Sequence, residues 1–318
     1  MILVTGGAGF IGANLCRRLL ADGHEVICMD DYTSGRRKNV EALLKDPAFR
    51  LIEADTGKPE SFAALPRVDQ IYHLACPASP VFYQKDPIRT LRTCVYGMDN
   101  ALTFARACGA RVLQASTSEV YGDPAIPVQH EGYFGNVNPN GVRSCYDEGK
   151  RAAETLCCDY RRSGVDAKIV RIFNTYGPYM RADDGRLVSN FICSALTGKP
   201  LAVYGSGLQT RSLCFVSDLV EGLVRMMNSE ESGPINLGNP VEMTVKEIAG
   251  VVLSLLSIDD PEGHLVYEAA LEDDPKRRKP DIRRAEARLG WRPAIALEDG
   301  LRETIRYFRS ELEEGGAR

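Results

Sequence analysis

Long apolar runs are missing from this sequence. None approaches the roughly 20 residues that a helix needs to cross a bilayer, so no membrane partner is expected. An excess of positive charge is missing too. The formal net charge is −4, and no basic surface for nucleic acid is expected. The ten cysteines form no Cys-x-x-Cys pair and no His/Cys cluster. They are scattered through stretches that read as strands and helices. Reduced thiols packed as small hydrophobes are expected, in a cytoplasmic protein with no metal site. Internal repeats and low-complexity linkers are absent, which favours interleaved lobes over beads on a string. Met1 to Gly6 enters a strand and a turn at once, so no signal peptide is expected.

What is present is ordinary for a soluble globular chain: 44% apolar and 26% charged residues over 318 positions, enough for one large domain or two intimate ones. The first informative stretch is Thr5-Gly6-Gly7-Ala8-Gly9-Phe10-Ile11-Gly12. It follows a short apolar run and opens an amphipathic segment, which is followed by a strand ending at Asp30. Glycines at this spacing permit a tight turn and close approach of a pyrophosphate, and the helix start offers free N–H groups. Asp30 lies where a carboxylate accepts the adenosine ribose hydroxyls and repels a 2′-phosphate, which favours NAD over NADP. Arg36, Arg37 and Lys38 follow closely and argue the other way unless they turn elsewhere.

Strands near 49–54, 69–75, 111–115 and 167–172 alternate with helices, notably 87–108 and one running from Tyr146 to about 163. This rhythm predicts an α/β Rossmann-type fold, an open doubly wound parallel sheet with a smaller mixed C-terminal lobe. The rhythm breaks after residue 173. The expected division is a dinucleotide part, 1–173 with returning segments at about 213–238, and a substrate lobe, 174–212 with 239–318. Asp55, at a strand end, is placed to meet the adenine edge. His73, alone in an apolar strand, reads as a satisfied core residue.

Tyr146 and Lys150 stand one helical turn apart. A phenol is a poor base at neutral pH, and a nearby ammonium favours the phenolate. The pair is thus a compact general base for a hydroxyl proton, although the bare pattern also occurs on many surface helices.

The glycine turn together with Tyr146-x-x-x-Lys150 resembles the extended short-chain dehydrogenase/reductase superfamily, especially its nucleotide-sugar enzymes. Further blocks resemble the UDP-glucuronic acid decarboxylases, also called UDP-xylose synthases: His73–Ser79, Ser116–Pro124, Cys145–Arg151, Arg171–Thr175, Asp184–Arg186, Val203–Gly207, Gln209–Arg211 and Arg278–Ile282. The resemblance implies oxidation of C4 to a ketone, loss of the C6 carboxylate as carbon dioxide, and return of the hydride. Tyr146 would take and return the hydroxyl proton. Lys150 would lower its pKa and bind the nicotinamide ribose. Thr117 or Ser118 would donate a hydrogen bond to the developing oxygen charge. Glu119 discriminates: epimerases tend to carry a small hydroxyl residue there, and dehydratases carry Asp-Glu in place of Ser118-Glu119. Its carboxylate would place a water or act on the substrate carboxylate. Arg278 is expected near the diphosphate or C5/C6, against the alternative that Lys276–Lys279 is a solvated basic run.

The cofactor's expected neighbours are Gly6, Gly9, Phe10, Ile11, Gly12, Asp30, Asp31, Ser34, Gly35, Asp55, Thr56, Leu74, Ala75, Tyr146 and Lys150. For the UDP-sugar they are Tyr83, Asn174, Arg186, Val188, Tyr204, Arg211 and Arg278. Cys94, Met98 and Tyr179 depart from the expected Asn, Thr and Arg. Relatives pair the helices 87–108 and 146–163 across a dimer, so a homodimer is expected. The competing readings are a UDP-glucuronate 4-epimerase, a decarboxylase releasing the 4-keto pentose with NADH, and a silent NAD-binding regulator.

Overall fold

The chain starts as a strict alternation. The elements are β1 (Ile2–Thr5), α1 (Phe10–Ala21), β2 (Val26–Asp30), β3 (Phe49–Glu53), α2 (Glu60–Ala63), β4 (Gln70–His73), α3 (Pro80–Tyr83), α4 (Pro87–Cys108), β5 (Arg111–Thr117), α5 (Ser144–Arg162) and β6 (Ala167–Ile172). The second half is more mixed: β7 (Thr175–Tyr176), α6 (Leu187–Leu196), β8 (Leu201–Tyr204), β9 (Thr210–Arg211), β10 (Cys214–Phe215), α7 (Val216–Asn228) and β11 (Ile235–Leu237). It ends with β12 (Met243–Thr244), α8 (Val245–Leu255), β13 (Leu265–Glu268), α9 (Arg283–Leu289) and α10 (Leu297–Gly316). The computed structural model describes residues 1–269 and 277–316, the last two as backbone alone. Lys276, part of the basic run considered above, lies outside the described residues.

Seven strands form one parallel sheet in the order β11-β6-β5-β4-β1-β2-β3. Local sequence explains its helices. α4 begins where the Asp86 carboxylate accepts the Arg89 N–H at 3.0 Å and Pro87 takes the first turn, and it stops at Gly109 with φ 67°. α8 begins with a Thr244/Glu247 capping box. The sheet strands are buried on both faces, as a parallel sheet requires, with Leu3, Val4, Ile71, Val112 and Ile169 fully covered.

One buried cluster runs from sheet residues such as Val4 and Val170 through α7 into Phe191, Leu201, Ile248, Trp291 and Phe308 of the second half. A second lies under α4 and α5 and contains Met98, 0% exposed. Met98 is thus a packing residue. The expected strand near 234–238 does return to the sheet, where β11 pairs with β6. β13 and α9 lie in the charged stretch between α8 and α10. No helix among the described residues is long and apolar enough to cross a membrane.

Candidate active site

A cleft runs across the carboxyl ends of the sheet strands, where ligands of such folds gather. Every residue expected at the site lines it except Asp55, whose carboxylate accepts the Gly57 N–H at 2.8 Å. An acid at a strand end captures the nearest turn N–H, and the neighbouring Ala54 and Thr56 face the cleft in its place.

The cofactor end is built from backbone. A Cβ on Gly6 would stand 2.8 Å from Ala75 N, and one on Gly12 would stand 2.2 Å from the Gly6 carbonyl oxygen. Only glycine permits this approach. No side chain caps the start of α1 at Gly9, which leaves its first N–H groups to a ligand. Asp30 is buried and accepts N–H groups from Ala8 (2.9 Å) and Tyr32 (2.8 Å). Burial pushes its carboxyl up to about 6, against the pull of those N–H groups. A cradle closed to any Cβ, a helix N-terminus and a buried carboxylate together fit a pyrophosphate and a ribose diol. The basic run beyond Asp30 turns away. Arg36 binds Glu311 and the Tyr307 hydroxyl, each at 2.8 Å, and Lys38 binds Glu311 at 2.7 Å. Asp31 binds Arg89 at 2.7 Å at the cleft wall.

The middle of the cleft holds Tyr146 and Lys150. The Tyr146 ring stacks on Tyr83 with centroids 5.1 Å apart. Lys150 donates to the Ala115 carbonyl at 2.8 Å, its Nζ 5.8 Å from the Tyr146 ring centre. Against the expected lowering, burial is the largest influence on this phenol. Burial raises it well above its ordinary value, and a hydrogen bond with Thr117 offsets only part. The lysine is engaged by a backbone carbonyl and the phenol is desolvated, so burial wins. His73 is a core residue as expected: Nδ1 meets Thr5 Oγ1 at 2.9 Å, and burial, then Lys150, lowers it to about 3.

The other end of the cleft, where a UDP-sugar is expected, is built from side chains. Thr117 ends β5, and its hydroxyl oxygen accepts the Glu119 N–H at 3.2 Å. Ser118 and Glu119 follow in a buried turn. Arg278 binds Glu119 at 2.6 Å, and Arg143 binds it at 2.8 Å. Burial, the largest influence on Glu119, opposes its charge, but Arg278 and Arg143 overcome it and hold the carboxyl below its ordinary range. Arg278 thus sits in the site. Its Nη1 also reaches Asn174 Oδ1 at 3.4 Å. Arg186 and Val188 at the start of α6, with Tyr204 and Arg211, line the far wall. Tyr179 also lines the cleft, its ring covered by Arg17 at 4.0 Å. Arg181, two residues on, supplies a cation on that wall.

Sequence reasoning missed Arg143 and Asp147. Arg143 sits three residues before Tyr146, a helical spacing that shares a face, and that signal was readable. Asp147 is buried, its Oδ1 without a hydrogen-bond partner among the described residues. Burial, then Glu119, pushes its carboxyl up to about 8.

Residues 2–238 match the NAD dependent epimerase/dehydratase family. The chain belongs to that family. The family match makes NAD its cofactor, in keeping with the Asp30 geometry. Among proteins similar to this family member is UDP-glucuronic acid decarboxylase 1 of Danio rerio, 52% identical over 98% of this chain and 73% of that one. UDP-glucuronic acid decarboxylase 4 of Arabidopsis thaliana is 53% identical over 98% of this chain and 69% of that one. Among solved structures, UDP-glucuronic acid 4-epimerase of Bacillus cereus, in complex with UDP-glucuronic acid and NAD, superposes with a TM-score of 0.88. It is 26% identical over 98% of this chain and 99% of that one.

Proposed function

We propose that this family member is a UDP-glucuronate decarboxylase that forms UDP-xylose through a 4-keto sugar. The observation that carries the reading is Glu119, held between Arg143 and Arg278 at the end of β5, in one cleft with Tyr146 and the glycine turn. NAD, when bound, supplies the hydride acceptor for C4 and returns the hydride at the end of the cycle.

The chain's residues take the remaining steps. Tyr146 accepts the 4-hydroxyl proton as C4 becomes a ketone. That ketone lies β to the C6 carboxylate, so the carboxylate leaves as carbon dioxide and its bonding electrons enter an enolate. A hydroxyl from Thr117 or Ser118 donates to the enolate oxygen. Glu119 places the water that protonates C5, and Tyr146 returns its proton to the C4 oxygen. Arg278, Arg211, Arg186 and Asn174 hold the anionic parts of the substrate by charge and hydrogen bonding. Tyr83, whose buried hydroxyl has no partner among the described residues, serves a sugar hydroxyl. Val188 and Tyr204 flank the uracil. The dinucleotide part is 1–173 with 213–238, and the sugar part is 174–212 with 239–318.

Incubating the protein with UDP-glucuronate and NAD, with products read by mass spectrometry, tests the assignment. UDP-xylose and carbon dioxide are expected. An intact six-carbon product would overturn it, and accumulating NADH would identify release of the 4-keto pentose. We further infer a homodimer through α4 and α5, on the apolar residues Ile88, Leu91 and Tyr96 that α4 exposes. Light scattering checks this, a monomer mass being contrary. A reducing, cytoplasmic setting is inferred from ten unbridged cysteines.

A further inference from the structure

Two thiols meet beside the proton-transfer pair, and the reaction above uses neither. Cys76 lies in the loop that follows β4, half-buried and on the cleft wall. Cys94 is buried in the middle of α4. Their sulfurs are 3.1 Å apart. A disulfide bond is about 2.05 Å long, so the sulfurs need to approach by only about 1 Å. Cys94 also abuts the helix that carries the proton-transfer pair. A Cβ on Gly149, next to Lys150, would fall 3.0 Å from Cys94 Cβ and 3.1 Å from its sulfur.

Burial raises the Cys76 thiol well above its ordinary value, so Cys94 is the partner that ionises more readily. A hydrogen bond from the Cys76 thiol lowers the Cys94 thiol, burial opposes this, and Lys150 adds to the lowering. The thiolate is the reactive form. Cys76, on the cleft wall, is where a small oxidant arrives.

We propose that Cys76 and Cys94 form a modification site, a dithiol that a peroxide converts reversibly to a disulfide. One thiolate attacks the peroxide, the O–O bond breaks, and a sulfenic acid and water result. The second sulfur then displaces the sulfenic oxygen, the S–S bond forms, and a second water leaves. Two thiols lose two electrons and two protons, and the peroxide becomes two waters. A dithiol reductant reverses the step by exchange.

The bridge ties the cleft-lining loop after β4 to α4 and draws Cys94 away from the Gly149–Lys150 turn. Misplacing a positioning element by about 1 Å costs up to about a hundredfold in rate. Oxidation is therefore expected to slow turnover about tenfold or more.

The test treats the full chain with hydrogen peroxide and maps its disulfides by proteolysis and mass spectrometry. Turnover of UDP-glucuronate and affinity for NAD are then measured before and after dithiothreitol. A Cys76–Cys94 bridge is expected, with turnover and NAD affinity both reduced and both restored by dithiothreitol. Cys94→Ser and Cys76→Ser are each expected to make NAD affinity insensitive to peroxide. The proposal is overturned if no bridge forms, if Cys145 replaces either partner, or if the bridged protein binds NAD and turns over as the reduced protein does. Bridge mapping and NAD affinity need no sugar substrate, so a failure of the decarboxylase assignment is read separately.

Discussion

The two ends of the cleft recognise their ligands by different means. The cofactor end uses backbone from two short stretches, residues 6–12 and 30–35, and one carboxylate. The sugar end uses side chains brought from distant segments; Glu119 and Arg278 are 159 residues apart. Backbone recognition is written locally, because glycine spacing and a strand-to-helix turn suffice. Side-chain recognition exists only after the sheet and the second half have met.

The largest effect is expected at the seam between the ends. Tyr146→Phe should lower turnover about a thousandfold while NAD affinity, read by fluorescence titration, stays unchanged. Glu119→Gln should lower turnover about a hundredfold, again sparing NAD. A matching loss of NAD affinity would break the separation of the two ends. Gly12→Ala is the converse. Its methyl meets the Gly6 carbonyl oxygen, and an overpacking cost of about 1–3 kcal/mol corresponds to a loss of NAD affinity of roughly five- to 150-fold. UDP affinity, by calorimetry, should hold.

Protonation separates the ends further. Asp30 must be ionised to accept ribose hydroxyls, and its carboxyl stands at about 6. NAD affinity should therefore fall about tenfold as pH drops from about 7 to about 5, as calorimetry at the two pH values would show. Asp147 is read on stability instead of affinity. Its carboxyl stands at about 8, against about 4 in an unfolded chain. The folded state keeps a proton that the unfolded state releases, so this contribution weakens as pH rises from about 4 to about 8. Asp147→Asn should remove that decline, seen in urea midpoints at the two ends of the range.

What was legible follows the same division. α4 could be read almost to the residue, because Asp86-Pro87 and Gly109 mark its ends. The glycine turn, Asp30 and the Tyr146/Lys150 pair were readable as motifs. β13 was not: its four residues include half-exposed Val266 and Tyr267, and its partner β8 lies some 60 residues back. α9, Arg-Arg-Ala-Glu-Ala-Arg-Leu, shows too little apolar periodicity to stand out from a charged loop. Arg143 was readable from its spacing to Tyr146, and the opposed effects of burial and Thr117 on the Tyr146 phenol could only be weighed once the phenol's surroundings were known.

The return of β11 to the sheet has a consequence for how the molecule is made. When residues 1–173 have left the ribosome, six strands of the seven exist, and the edge beside β6 is still open. Its covering strand begins at Ile235, 63 residues after Ile172, behind much of the other half. Neither half is a cassette. A truncation before Ile235 should leave an aggregation-prone edge, and exchanging halves between relatives should succeed only when that strand travels with the sheet.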